Sequence, residues 1–249
     1  MDKDKAYKLL ALQEGISNKK AKELIDKGLV SVGGKKLVVA RGELPFNTKF
    51  KIKDISDIKI IFEDDDILAI DKPAFLNASD VEDRFLNASL LNRLDRETSG
   101  VMLMAKNDTF RTKAIKEFIN KNVYKEYVAI VEGRVVEDFE IDLPIYTIKG
   151  KYAKSKIDLI KGKYAKTFVY PYMVEGNKSK IKVVIEDGRT HQIRVHLQYA
   201  GFPIIGDLQY GKPSNRVHRM MLHSKTIKIF GYEFNAKEPK EFTHFGFEK

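Results

Sequence analysis

The chain has 249 residues, no cysteine, and 45 Lys and Arg against 35 Asp and Glu, a formal net charge of +10 at pH 7. The absence of cysteine excludes disulfides, thiolate metal sites and cysteine nucleophiles. The first residues lack the apolar core of a signal peptide, and no apolar run approaches membrane-spanning length. We therefore expect a cytoplasmic protein with no membrane partner.

The positive charge is concentrated at the N-terminus, where residues 1–55 hold 13 Lys and Arg and only 7 Asp and Glu. A small basic unit predicts a polyanionic partner, nucleic acid before membrane, although a solubilising surface in a lysine-rich proteome is the alternative. Residues 40–56 are mixed in character and contain Gly42 and Pro45, which is typical of a linker. We predict two domains, residues 1–52 and 53–249.

The first domain reads as two short helices followed by a hairpin. We predict a helix over residues 4–13 that ends at Gly15, and a second helix with Ser17 as its N-cap that ends at Gly28. Two strands should follow, at residues 29–32 and 37–39, joined by a Gly33-Gly34 turn.

Three lysines, Lys19, Lys20 and Lys22, lie in or near the first turn of the second predicted helix. Cations there oppose the helix dipole, a cost that is easier to understand if phosphates bind at this end. Residues 15–21 and 27–35 of this unit resemble the S4-type RNA-binding domain. The resemblance implies that these lysines contact RNA.

The second domain alternates strands with a few helices. We expect an α+β fold with a mainly antiparallel sheet flanked by helices, because most strands follow one another directly. The predicted strands lie at residues 58–62, 67–70, 124–133, 180–186, 220–223 and 226–229. Helices are predicted from Asn107 or Asp108 to Asn120, and from a Thr190 N-cap to Gly201.

Two further patterns in this domain are less specific. The acidic triplet at residues 64–66 could bind a cation, but a solvated hairpin tip is the favoured interpretation. The near-repeat Gly-Lys-Tyr-Ala-Lys begins at Gly150 and again at Gly162. It predicts two basic strands or a hairpin, with tyrosines available to stack on bases.

One loop places a single carboxylate between two arginines. It reads Asn-Arg-Leu-Asp-Arg-Glu-Thr-Ser-Gly at residues 92–100, and it leads into the apolar run 101–105, which predicts a buried strand. Taken alone, such a loop is more often a salt-bridged turn than a catalytic site. A carboxylate without a metal or cofactor can be a general base, a nucleophile or an ion-pair partner.

Several other site classes do not fit the sequence. His191 and His196 are five residues apart, which is not the i, i+4 pair of a helical metal site, and no carboxylate completes a ligand set. No P-loop, dinucleotide fingerprint or Ser-His-Asp arrangement is visible. An aspartic protease would need two Asp-Thr/Ser-Gly loops, whereas Arg96 and Glu97 intervene after Asp95 and no second copy exists.

Five motifs match one enzyme family in order and spacing. Residues 92–100 resemble the His-Arg-Leu-Asp-x-x-Thr-Ser-Gly signature of RluA-type pseudouridine synthases. The other four motifs lie at residues 125–133 (Lys-Glu-Tyr-Val-Ala-Ile-Val-Glu-Gly), 188–197 (Gly-Arg-Thr-His-Gln-Ile-Arg-Val-His-Leu), 206–211 (Gly-Asp-Leu-Gln-Tyr-Gly) and 221–224 (Met-Leu-His-Ser). The resemblance covers about residues 58–235, and S4 domains often precede this catalytic domain.

The resemblance implies isomerisation of uridine to pseudouridine in RNA, with no cofactor and no metal. Asp95 matches the family's catalytic aspartate, and Arg194 matches the arginine that pairs with it and keeps it ionised and oriented. Tyr127 matches the tyrosine that packs on the target base, and Leu222 matches an apolar residue that lines the uracil pocket.

The target uridine must be flipped out of its helix to reach such an aspartate. Arg93 matches a family residue that can fill the vacated stack, and we also expect Arg189 and His191 to contact RNA. The sequence departs from the family at Asn92, where a histidine is usual. We expect this change to alter RNA contact or loop support and to leave the chemistry intact.

Three functions remain open from the sequence. The first is modification of large-subunit (23S) ribosomal RNA, which an S4-like domain would suit. The second is modification of tRNA by an enzyme of the same family. The third is a catalytically inactive protein that binds RNA or ribosomes, against which the presence of Asp95, Tyr127 and Arg194 argues.

Overall fold

The computed structural model describes residues 3–26, 28–52, 58–85, 87–150, 153–212, 217–243 and 245–247. The chain divides into two compact units, residues 1–57 and 58–249. Among the described helices, none has the length and apolar character needed to cross a membrane.

The first unit packs two helices beside short strands. Its elements are β1 (Lys3–Lys5), α1 (Ala6–Glu14), α2 (Asn18–Asp26), β2 (Val30–Val32), β3 (Lys35–Lys36), β4 (Glu43–Pro45) and β5 (Phe50–Ile52). Strand β1 pairs antiparallel with β4, and β2 lies between β3 and β5 in a second antiparallel sheet. The apolar sides of α1 and α2 form one core with β2 and β5.

The end of α1 and the start of α2 follow the predicted signals, whereas α1 begins at Ala6 and not at residue 4, because residues 3–5 form β1. Gly15 takes a left-handed conformation with φ of 64° and caps α1, and the hydroxyl of Ser17 accepts a hydrogen bond from the Lys20 backbone N–H. The second hairpin strand, however, is predicted at residues 37–39 and lies at Lys35–Lys36. Both turn glycines have positive φ, so the chain reverses within two residues and pairing resumes at Lys35 at once.

The second unit is built on one large sheet. Its strands are β6 (Lys59–Glu63), β7 (Ile67–Lys72), β8 (Ser89–Leu90), β9 (Ser99–Ala105), β10 (Tyr124–Glu132), β11 (Phe139–Asp142), β12 (Ile145–Ile148), β13 (Lys154–Ile157), β14 (Lys166–Glu175), β15 (Lys178–Ile185), β16 (Leu222–Ile229) and β17 (Tyr232–Asn235). Its helices are α3 (Ala78–Glu82), α4 (Asp108–Ile119), α5 (Gln192–Tyr199) and a 3-10 turn at Lys240–Thr243.

The strand order of the large sheet is β11-β14-β15-β10-β16-β9-β7-β6, with β17 on β16 and β8 on β9. All of these pairs are antiparallel except β9 with β16, which are parallel. Strands β12 and β13 form a separate hairpin. The predicted α+β class with a mainly antiparallel sheet is confirmed.

The centre of the sheet is buried on both faces. All seven residues of β9 are buried, as the apolar run before Lys106 predicts. Helix α4 covers one face of this region with Phe110 and Ala114, and its N-cap Asn107 accepts a hydrogen bond from the Phe110 backbone N–H. The acidic triplet is a hairpin tip, where Asp64 accepts backbone N–H groups of Asp66 and Ile67.

Two expectations for the second unit need correction, and of the two alternatives for the near-repeat the hairpin is wrong. Residues 220–223 and 226–229 are not two strands, because β16 runs unbroken through Ser224, which is fully buried beside Gly100. Thr190 is not the N-cap of α5; His191 takes that position with a left-handed φ of 57°. The two copies of the near-repeat do not pair with each other, since β13 pairs with β12 and β14 with β11 and β15. Tyr152 lies outside the described residues.

The loop that carries Asp95 is fixed from both sides. Asn92 Oδ1 accepts a 2.8 Å hydrogen bond from the Leu103 backbone N–H, which extends the β8–β9 ladder by one residue. Lys72 is fully buried behind the loop and donates to the carbonyl oxygens of Leu76 at 2.8 Å, Pro73 at 3.0 Å and Arg96 at 3.3 Å. These hydrogen bonds attach the loop to β9 and to the segment after β7.

Gly100 is a position where the fold tolerates no side chain. Its φ is 109°, and a Cβ there would meet the carbonyl oxygen of Ser224 on the parallel strand β16. We expect Gly100→Ala to lower the free energy of unfolding by about 3 kcal/mol, from strain and overpacking together. Gly176 has a φ of 56° and open space around it, so Gly176→Ala should cost only about 1 kcal/mol. Denaturant unfolding measures both, and equal losses would contradict this account.

The buried ammonium of Lys72 should make stability depend on pH. Burial, followed by the charge of Arg219, lowers the pKa of Lys72 to about 7 from 10.5. Above pH 7 the folded state therefore holds fewer protons than the unfolded chain, so stability should rise with pH, by at most about 1.4 kcal/mol per pH unit from this group. Lys72→Met should remove that share of the slope.

Denaturant unfolding at about pH 7, 8 and 9 measures the slope. Lys125, whose pKa burial lowers to about 8, keeps its own share in the variant. Lys113→Met is the matched control, because this α4 lysine is exposed. A Lys72→Met slope equal to that of the unchanged protein would refute the prediction.

Candidate active site

The centre of the site is an ion pair between two residues that are far apart in the sequence. Asp95 lies in the loop before β9, and Arg194 lies on α5. The Arg194 Nη1 atom donates a 2.9 Å hydrogen bond to Asp95 Oδ2. The loop itself is closed by a backbone bond from Thr98 N–H to the Asp95 carbonyl. The pair forms as the sequence predicts, and the neighbouring Arg96 lies instead 3.4 Å from Glu97.

A second carboxylate holds Arg194 from the other side. Asp207 accepts two hydrogen bonds from the guanidinium, 2.7 Å from Nε and 2.9 Å from Nη2, and its side chain is fully buried. Its Oδ1 also accepts the backbone N–H groups of Gln209 and Tyr210. Burial disfavours the charged form of Asp207, but the hydrogen bonds and charge of Arg194 hold the pKa of Asp207 below its usual value.

The guanidinium is thereby fixed in position and charge. Burial opposes its charge, but Asp207 and then Asp95 raise the pKa of Arg194 above its ordinary value. The ring of Tyr210 lies beneath it, with the guanidinium carbon 4.9 Å from the ring centroid. Arg194 is therefore presented to Asp95 in one orientation, with two of its nitrogens already occupied.

Two strand residues form the apolar side of the site. Tyr127 on β10 and Leu222 on β16 are buried and line a small pocket of about 70 Å³ together with Asp95, Arg194 and His191. Burial, followed by the charge of Asp95, raises the pKa of the Tyr127 hydroxyl. The phenol is therefore neutral at ordinary pH and presents an apolar ring beside a carboxylate.

A larger cleft of about 1060 Å³ adjoins this pocket and shares Asp95 and Tyr127 with it. Arg93 and Arg189 line both spaces. Arg93 is exposed, and no side-chain hydrogen bond connects it to the described part of the chain. Arg189 is less available, since its Nε donates to the Tyr164 carbonyl and its Nη2 lies 3.6 Å from Asp187.

The remaining predicted residues lie in two places. The side chain of His191 is 13% exposed, and its Nε2 lies 3.9 Å from Asp95 Oδ2. Lys19, Lys20 and Lys22 belong to the first unit, on α2. Lys19 and Lys20 are exposed, whereas the ammonium of Lys22 lies 4.4 Å from the centroid of the Tyr7 ring.

Sequence reasoning missed two residues that organise the site, Asp207 and Tyr210. Both fall within the Gly206–Gly211 motif, whose resemblance to the family gives neither side chain a role. An aspartate at the start of a turn between two glycines is a signal of backbone capping. Its carboxylate can accept the backbone N–H groups of the residues two and three positions later. Its bond to Arg194 has no sequence signal, since the two residues are thirteen positions apart with a helix end between them.

The arrangement gives the two oxygens of the Asp95 carboxylate different environments. One oxygen of Asp95 is bound by a permanent cation. Its other oxygen, Oδ1, has no polar partner within the described ranges. The described residues contain no group of three or more His, Asp and Glu side chains arranged as metal ligands.

Comparison with known proteins finds a family model that matches much of the second unit and relatives that match almost the whole chain. Residues 63–199 match the family model described as RNA pseudouridylate synthase. The chain is 51% identical over 240 residues to an uncharacterized RNA pseudouridine synthase of Helicobacter pylori strain J99, which covers 96% of this chain and 99% of that protein.

More distant relatives have more specific names. The ribosomal large subunit pseudouridine synthase D of Vibrio parahaemolyticus is 30% identical over 76% of this chain and 63% of its own length. The structure of human RNA pseudouridylate synthase domain containing 1 matches with a TM-score of 0.65 and 26% identity, over 77% of this chain and 87% of that one. The chain therefore belongs to the RNA pseudouridylate synthase family and is an isomerase.

Proposed function

We propose that this protein converts specific uridines of large-subunit ribosomal RNA to pseudouridine. The observation that carries the proposal is the Asp95–Arg194–Asp207 array beside Tyr127, at the junction of a small pocket and a long cleft. Relatives named ribosomal large subunit pseudouridine synthase C and D favour ribosomal RNA as the substrate. A tRNA substrate is the second candidate, because the same array would serve either RNA.

In the proposed reaction Asp95 drives the departure of uracil from C1′ of the ribose. The N1–C1′ bond breaks, the base turns, and a C5–C1′ bond forms as C5 loses its proton and N1 gains one. Arg194 orients the carboxylate through Oδ2, which leaves Oδ1 to face the nucleotide. This division of the two oxygens gives one reacting atom a fixed direction.

Tyr127 and Leu222 are proposed to hold the flipped base. Both are buried at the pocket wall, and both lie on central strands whose positions are set by the sheet. An aromatic ring and an aliphatic side chain can enclose a planar base without hydrogen bonds that would oppose its rotation. A base that must turn between two bonds is better held by apolar surfaces than by polar ones.

Arg93 is proposed to take the place of the flipped uridine in the RNA stack. It is exposed beside Asp95, so its guanidinium can leave the protein surface without breaking a contact to the described residues. A planar cation can stack on bases and contact phosphates at the same time. Arg189 is a proposed RNA contact at the same rim, where its side chain is more accessible than that of His191.

The first unit is proposed to be an S4-like RNA-binding domain of a cytoplasmic enzyme. Two helices, a tight hairpin and the exposed Lys19 and Lys20 support this proposal. The proposed boundaries, residues 1–52 and 53–249, differ from the two compact units by a few residues in the segment between them.

The role of Asp95 is tested by replacing it with asparagine. Asp95→Asn keeps the shape of the side chain but removes its charge, so we expect the target uridine to stay unmodified and the rate to fall more than about a thousandfold. Sequence-resolved mapping of pseudouridine in total RNA, from cells with either form, measures the change and identifies the substrate RNA. Asp65→Asn is the control, since this aspartate is exposed in the β6–β7 turn.

The result distinguishes the three functions left open by the sequence. Loss of one or more sites in ribosomal RNA would support the proposal, and loss confined to tRNA would favour the second candidate. Identical maps from cells with and without Asp95→Asn would leave only an RNA-binding role.

The proposed RNA-binding role of α2 is tested by salt dependence. Replacing Lys19, Lys20 and Lys22 with alanine should weaken RNA binding and reduce the slope of log affinity against log salt, by about one unit for each phosphate that the variant no longer binds. Lys19 and Lys20 should account for most of the change, because Lys22 lies against Tyr7.

A matched control removes the same number of charges from the same unit. Lys3, Lys5 and Lys49 are exposed and lie outside α2. Their replacement by alanine should change the slope by less than the α2 variant does. Equal slopes for both triple variants would mean that the lysines of α2 act only through net charge.

A further inference from the structure

His191 has a conformation that costs free energy. Its backbone lies in the left-handed region, with φ of 57° and ψ of 23°, and its side chain makes no capping hydrogen bond to α5. A left-handed non-glycine residue costs on the order of 1 kcal/mol and persists only where its surroundings fix it. The contacts of the ring show what fixes this residue.

A chain of hydrogen bonds holds one side of the imidazole. The Ser155 backbone N–H donates to the Tyr210 hydroxyl oxygen at 2.7 Å, and the same oxygen lies 2.8 Å from His191 Nδ1. The hydroxyl accepts from Ser155 through one lone pair, and in the arrangement proposed below it donates its own hydrogen to Nδ1. The unprotonated nitrogen is then Nδ1, and the N–H of the neutral ring is at Nε2.

The other side of the ring faces Asp95. Nε2 lies 3.9 Å from Asp95 Oδ2, the oxygen that already accepts from Arg194. Burial lowers the pKa of His191 from its ordinary value, against the opposing effect of Asp95, so the ring is neutral near pH 7. The separation is too long for a hydrogen bond, but catalytic contacts are often long before substrate binds.

We propose that His191 is a positioning residue that directs its Nε2–H at Asp95 Oδ2, so that Arg194 and His191 together leave Oδ1 as the oxygen that faces the nucleotide. This inference rests on the proposed function of Asp95. In this role His191 acts through the Asp95 carboxylate, whereas the sequence predicts only that His191 contacts RNA. Tyr210 fixes the tautomer that makes the role possible.

The location of the ring favours this role over RNA contact. His191 lines the small pocket together with Tyr127 and Leu222, and it does not line the larger cleft. Its side chain is 13% exposed, and its two nitrogens face Tyr210 and Asp95. Little of the ring is left to meet the backbone of a bound RNA.

Three variants test the inference. His191→Phe keeps the ring and removes both nitrogens, His191→Gln keeps an N–H near the position of Nε2, and Tyr210→Phe removes the hydroxyl that fixes the tautomer. The probe is ribosomal RNA from cells that carry only the Asp95→Asn form, which lacks the modification. Single-turnover rate and RNA affinity are measured for each, with His218→Phe as the control, since His218 is exposed and lines neither space.

We expect His191→Phe to slow the single turnover by about tenfold while RNA affinity changes less than about twofold. His191→Gln should recover most of the rate. Nitrogen-15 spectra of the unchanged protein should show the Nε2–H tautomer of His191, and Tyr210→Phe should raise the population of the other tautomer.

Two results would overturn the inference. One is an Nδ1–H tautomer in the unchanged protein. The other is a His191→Phe variant with weakened RNA binding and a normal single-turnover rate, which would make His191 an RNA contact. Inactivity of the unchanged protein on this RNA would instead reject the proposed function, and the spectra can be read separately from it.

Discussion

Arg194 makes the contacts on which the rest of the site depends. Its guanidinium bridges a partly exposed carboxylate, Asp95, and a fully buried one, Asp207. Removing the cation would leave Asp207 buried and unpaired, a change that costs about 3–5 kcal/mol in proteins. Asp207 also caps the turn that carries Tyr210, and Tyr210 contacts His191. The charge arrangement around Asp95 and the conformation of the turn at residues 206–211 therefore both depend on Asp207, which binds Arg194 and caps the turn.

The site combines residues from central strands of the sheet with one residue from a loop. Tyr127 and Leu222 lie on neighbouring central strands; Tyr127 is paired on both sides, with β15 and β16, and Leu222 lies opposite Ala129 of β10. Asp95 lies in a loop, yet Asn92 and Lys72 attach that loop to β9 and to the segment after β7. The base-facing surfaces thus come from the sheet, and the reacting group comes from a loop that is held nearly as firmly.

Much of the fold and of the site could be predicted from the sequence, and the wrong predictions have physical reasons. The Asp95–Arg194 pair followed from the resemblance to the family, and the α+β class followed from the order of strands and helices. The expected break in β16 was wrong because Ser224, although polar, is buried within the strand opposite Gly100, where the two backbones approach closely. Thr190 is a favoured residue type for an N-cap, but His191, whose ring contacts Tyr210, takes that position. Asn92 supports the loop through Leu103, a contact that composition does not reveal.

The parallel pairing of β9 with β16 has a consequence for the order of folding. These strands are joined through Ser99 with His223 and Gly100 with Ser224, more than a hundred residues apart in the chain. Because such a contact closes a very long loop, we expect it to form after local hairpins such as β14–β15 have paired. Leu222 reaches the pocket only when β16 has docked between β9 and β10. On this order a nascent chain would hold a partly built sheet with the Asp95 loop and Tyr127 in place, but the Leu222 side of the pocket would be missing until β16 has emerged.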